Sequence, residues 1–135
     1  MTKVVPMTEE QQQQWVKKQY QIATKYLAEK GIITNSVAVE ESRYLVPILA
    51  LWKLTAMDGK KFWVLCGDLP SDHSSVDVAL NAREALRHFA LKWQMQAENL
   101  LQAKNEEQNK FAHLLIGRAE GLYKLHNDEN LWLSK

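Results

Sequence analysis

Residue types capable of chemistry crowd into one stretch, Gly67-Asp68-Leu69-Pro70-Ser71-Asp72-His73. It follows an apolar run and precedes a long helical pattern, so a strand end and a helix start are expected on either side. A helix start carries unpaired N–H groups and partial positive charge, which can hold an anion. There Asp72 stays ionised and His73 is biased toward its neutral form. A neutral histidine beside an aspartate can act as a general base. Capping accounts for the same residues. Pro70 forces Leu69 extended, Asp68 makes an Asx-type turn, and Ser74 with Asp77 has capping-box spacing. Those caps use the donors an anion would need.

A second cluster is Arg83, Glu84, Arg87 and His88. Arg83 and Arg87 are one helical turn apart and could grip a phosphate or carboxylate. Glu84 can pair with Arg87 or His88 on the same helix, which makes the cluster a salt-bridged surface instead. A sharper arrangement has Arg83 or Arg87 reaching back to Asp68 or Asp72. The candidate ligand-binding set is therefore Asp68, Asp72, His73, Arg83 and Arg87.

No catalytic constellation accompanies them. Cys66 shares a strand face with Phe62 and Val64, the pattern of a core thiol. There is no nucleophile elbow, phosphate-binding glycine loop or dinucleotide fingerprint. His73, His88, His113 and His126 lack close metal-ligand spacing. No metal or cofactor is expected.

The elements that must position these residues follow from periodicity. Residues 8–30 read as a helix, with Thr8 and Gln11 at capping-box spacing and an apolar stripe through Trp15, Tyr20, Ala23 and Leu27. Gly31 suits the position just past its end. Residues 36–68 read as a three-stranded antiparallel meander. It has a short strand at Val37 and Val39, a strand from Leu45 broken at Pro47 and running to about Ala56, a turn at Asp58-Gly59, and a strand from Lys61 to Gly67. The middle strand is apolar on both faces.

Residues 75–104 and 107–126 read as helices. Phe111, Leu114, Leu115, Leu122 and Leu125 mark the core stripe of the second, and the four-residue spacing of Gly117 and Gly121 suits close helix approach. One unbroken helix over 75–125 would be about 75 Å long. A domain of this size has a radius of gyration of about 14 Å. A break near Asn105 and an antiparallel pair are expected. The fold class is thus α+β, with an N-terminal helix, a three-stranded sheet and two long helices packed on it.

Composition narrows the function classes. The chain has 135 residues, the length of one domain, with residues 1–7 expected to be flexible. Lys plus Arg is 17 against 16 Asp plus Glu, which lacks the basic footprint of a dedicated nucleic-acid binder. One cysteine permits no internal disulfide and suits a reducing cytoplasm. The N-terminus has no signal-like apolar segment, and no apolar run approaches the roughly 20 residues that span a bilayer, so no membrane partner is expected. The five tryptophans fall on different elements, one each, which suits a shared core better than a stacking platform. An exposed tryptophan would instead mark an interface, and Trp63 is the one to watch.

The run from Phe62 to His73, followed by Ala82-Arg83-Glu84-Ala85-Leu86, Phe89 and Trp93, resembles a family of small gammaproteobacterial-type proteins without an assigned activity. Its members share a tryptophan-rich strand, a Gly-Asp-Leu-Pro-Ser/Thr-Asp loop and an Arg-Glu-Ala-Leu helix start. The resemblance covers roughly residues 8–105. It implies no catalytic residue. Some relatives carry an aromatic residue in place of His73, which implies that Asp68, Asp72 and Arg83 are the stronger site candidates.

Two readings of function result. The first is a non-enzymatic cytoplasmic interaction or accessory domain, whose partner is a second copy of itself or another protein. The second is a small anionic-ligand-binding protein or enzyme, with its site at Asp68–His73 and the start of the long helix.

Overall fold

The computed structural model describes residues 7–133. The flexibility expected for residues 1–7 falls, apart from Met7, outside them. The chain divides into two compact units that meet in sequence between Ser75 and Val76.

The first unit opens with helix α1, Glu9–Glu29. Both halves of the expected capping box form: Thr8 Oγ1 accepts from the Gln11 N–H at 3.1 Å, and Gln11 Oε1 accepts from the Thr8 N–H at 2.9 Å. Gly31 lies just past the helix at φ +82°, a left-handed conformation that a side chain resists.

The sheet that follows has five strands rather than the expected three: β1 (Thr34–Val37), β2 (Arg43–Leu45), β3 (Leu49–Ala56), β4 (Lys61–Gly67) and β5 (Asp72–Ser75). All pairings are antiparallel, in the order β1-β3-β4-β5, and β2 also pairs with β3. The expected strand break at Pro47 lies between β2 and β3, at a cis Val46–Pro47 bond. One edge of β3 is therefore shared. Val37 pairs with Leu54, and Arg43 pairs with Leu51. Ser42 fills the join. Its hydroxyl donates to Ala38 O at 2.8 Å and accepts from the Lys53 N–H at 3.0 Å, replacing a ladder bond with a side chain.

Alternation along β3 and β4 sends side chains to two faces. Ala50, Trp52, Leu54, Val64 and Cys66 pack with Ala23 and Leu27 of α1. Leu49, Leu51, Trp63 and Leu65 point the other way and are equally buried. Trp63, the tryptophan whose exposure would have marked an interface, has 0% of its surface accessible, as a core tryptophan does. Its register opposite Lys53 places it on the second buried face.

The second unit holds α2 (Ala82–Gln102) and α3 (Glu106–Asn127), packed together and joined by a short turn. The break near Asn105 is present. Asn105 caps α3 by accepting from the Glu107 and Gln108 N–H groups. The start of α2 differs from expectation. Asn81 is its N-cap and accepts from the Glu84 N–H, while residues 76–78 form a separate 3-10 turn. Ser74 lies in β5, so the Ser74–Asp77 spacing caps no α-helix here.

The two helices bury a small-residue seam: Ala82, Ala85, Ala90 and Ala97 with Leu86, Phe89 and Trp93 on α2, and Ala112, Leu115, Ala119 and Leu122 on α3. Gly117 and Gly121 lie outside that seam. A Cβ built at either meets nothing within 4 Å, so neither marks a close helix approach. Among the described residues, no helix is long and apolar enough to cross a membrane.

Candidate functional site

The sequence candidates separate between the two units. Asp68, Asp72 and His73 belong to the first, and Arg83 and Arg87 to the second. In the first unit, the stretch expected to lead into the long helix instead turns β4 into β5. Gly67 makes the turn possible. It sits at φ +136°, and a Cβ there would lie 2.6 Å from both Ile48 O and Leu49 Cα. Asp68 follows it, exposed, and its N–H donates to Ile48 O at 2.9 Å.

Asp72 and His73 therefore stand on an edge strand, not at a helix start. The helix-terminus field proposed to act on them has no helix to supply it, because α2 begins only at Ala82. Register places His73 opposite Val64 and Asp72 opposite Leu65, so successive side chains take opposite faces. His73 points toward α1. Its Nδ1 lies 2.8 Å from the Tyr26 hydroxyl, and its ring meets the edges of Tyr26 and Phe62 at centroid separations of 5.4 and 5.9 Å.

Tyr26 is held as a phenol. Burial, and then the nearby Asp72 carboxylate, push its hydroxyl up to about 12. Tyr26 is thus protonated at neutral pH, and its hydroxyl can donate to Nδ1 or accept from it, according to the tautomer of His73. Asp72 Oδ1 accepts from the His73 backbone N–H at 2.8 Å. Sequence reasoning missed Tyr26, because the contact joins residues 47 apart. Its one signal was a hydroxyl at the margin of the α1 stripe.

Cys66 is fully buried, as its alternation implied. Its thiol donates to Gln19 O at 3.5 Å, and burial pushes its pKa up to about 11, which keeps it a thiol.

In the second unit Arg83 is engaged. Its Nε donates to His126 O at 2.9 Å, and its terminal nitrogens reach Glu129 at 2.9 and 3.4 Å. The guanidinium so positioned closes the C-terminal end of α3, where a cation is favoured. The bond to Arg83 holds the Glu129 carboxyl below the usual carboxylate range. Glu84 lies 3.8 Å from His126 Nε2. Arg87 is exposed. An anion at Arg83 would have to displace Glu129.

Two of the concave features among the described residues lie elsewhere. One, of about 400 Å³, is bounded by Ile32, Ile33, Met57, Lys60 and Phe62 at one end of the sheet. The other, of about 500 Å³, lies between α2 and α3 near their connecting turn. Leu100, Phe111 and Leu115 form its apolar wall, and Gln96, Asn99 and Gln108 bring carboxamides to it. Phe111 and Leu114, expected in the core stripe of α3, are 47% and 42% exposed. On α2, Leu91 and Met95 are 41% and 66% exposed and lead at four-residue steps to Asn99. Of these four, Phe111 lines the groove.

Among the described residues, no group of three or more His, Cys, Asp or Glu side chains could hold a metal ion. Neither a curated protein nor a solved structure matches the chain. The family described as Domain of unknown function (DUF4826) matches residues 9–132, nearly the whole sequence and both units, and the chain is a member of that family.

Proposed function

We propose that this chain is a non-enzymatic interaction or accessory domain that works in the cytoplasm through contacts made by its α2–α3 pair. The observation that carries this reading is the groove beside the helix turn. It combines an apolar wall that includes half-exposed Phe111 with exposed Met95 and Leu114, next in sequence to Gln96 and Leu115 of the lining. Contiguous exposed apolar surface is costly to keep in water and marks contact sites. A reduced, buried Cys66 thiol suits a cytoplasmic setting.

The test is a photo-crosslinking side chain at Asn99 in cells producing the full chain. Discrete adducts that Phe111→Arg abolishes are expected. Absence of any adduct overturns the reading.

A second reading rests on the Tyr26–His73 hydrogen bond, which places a phenol against an imidazole. It makes the Asp68–His73 segment a small anionic-ligand site, open to enzymatic use. Arg83 and Arg87 would be separate candidates on the other unit. Titration with inorganic phosphate, followed at the His73 ring resonances, tests it. No shift at millimolar phosphate removes it.

A further inference from the structure

We infer that the partner at the α2–α3 groove is a second copy of this chain, docked about a two-fold axis through the patch. This rests on reading the groove as a contact surface and names its occupant.

A two-fold interface must be self-complementary, because each surface meets itself. Three properties of the patch meet that demand. First, groove and protrusion coexist on it. Met95, 66% exposed and next in sequence to Gln96 of the lining, accompanies a cavity of about 500 Å³, so each copy offers both a side chain to insert and a place to receive one. Second, its polar lining is Gln96, Asn99 and Gln108. A carboxamide both donates and accepts, so it can bond its own copy, whereas a charged lining would repel it. Third, the charges around the turn balance. Lys104 and Lys110 accompany Glu106 and Glu107, all four exposed, so an inverted copy can set lysine against glutamate. A partner of one strong charge sign finds no complement here. The whole chain, with 17 basic and 16 acidic residues, adds little net repulsion between copies.

Light scattering on the purified full chain at rising concentration is the test, with disulfide trapping beside it. The expected result is a dimer whose association Phe111→Arg and Met95→Arg each weaken by at least about tenfold. Both sites are exposed, so an unchanged circular dichroism spectrum checks that the variants fold. Asn99→Cys should give a reducible dimer on mild oxidation, and Lys124→Cys, toward the far end of α3, should not. Buried Cys66 does not compete. A chain that stays monomeric at every concentration overturns the second-copy assignment. So does a dimer indifferent to both arginine variants. In either case, adducts from Asn99 to a different protein, abolished by Phe111→Arg, leave the contact-surface reading standing. Their absence removes both.

Discussion

The Tyr26 hydroxyl and His73 Nδ1 lie 2.8 Å apart, joining α1 to the outer strand β5 across the side of β4. The Tyr26 phenol holds its proton well above its usual range. Its pKa in the folded chain is raised to about 12 from 10.0, first by burial and then by Asp72. A raised folded pKa favours folding below the unfolded value and loses that contribution as pH rises through the folded one. Stability should therefore fall between about pH 10 and pH 12. Tyr26→Phe should remove that part of the decline. Ultraviolet titration of phenolate, with urea melts across the same range, checks it. A Tyr26 that titrates with the denatured chain would contradict the expectation.

Gly67→Ala should be among the most damaging single changes in the first unit. The methyl would press on Ile48 O and Leu49 Cα at 2.6 Å, both backbone atoms, at a φ of +136° that L-residues avoid. Left-handed strain and overpacking together cost about 3 kcal/mol or more. Chemical denaturation of the full chain measures it, and a loss under about 1 kcal/mol would mean that the β2–β3 corner yields.

Gly117→Ala and Gly121→Ala should do the reverse. Both lie within α3, with open space where the methyl would go. Replacing a helix-interior glycine by alanine stabilises by about 0.5–1 kcal/mol. A higher melting temperature for each variant is expected. A drop would mean that the glycines are needed against something outside the chain.

The Arg83–Glu129 pair predicts an acid response. Hydrogen bonding to Arg83 depresses the Glu129 pKa, so the pair's contribution is present above the unfolded carboxylate value. It is lost as pH falls through the depressed folded value. Carboxyl resonances should show Glu129 titrating below the usual carboxylate range, and Arg83→Met should move it back up. An unchanged midpoint would sever the link between the two residues.

Much of the architecture was legible because local chemistry and final structure agree. The Thr8–Gln11 box, the span of β4 and the break at Asn105 all rest on interactions within a few residues. The failures are tertiary. Asp72-His73-Ser74-Ser75 has no apolar alternation and becomes a strand only because β4 offers it a ladder. The same polar run, with Ser74 three residues before Asp77, imitates a helix cap. Phe111 and Leu114 kept helical spacing with the core stripe, yet face outward by less than one turn. At the candidate site, Asp72 and His73 were found as residues, but Tyr26 was not. A partner 47 positions away leaves no trace in spacing.

The shared edge of β3 has a consequence for aggregation. A long unpaired strand invites backbone pairing from other chains. Here β1, β2 and the Ser42 hydroxyl together occupy that edge, and the strands left outermost are only four, three and four residues long. Short edges are poor templates for strand addition. The sheet thus offers neighbouring chains little backbone to extend, which guards against open-ended β-stacking.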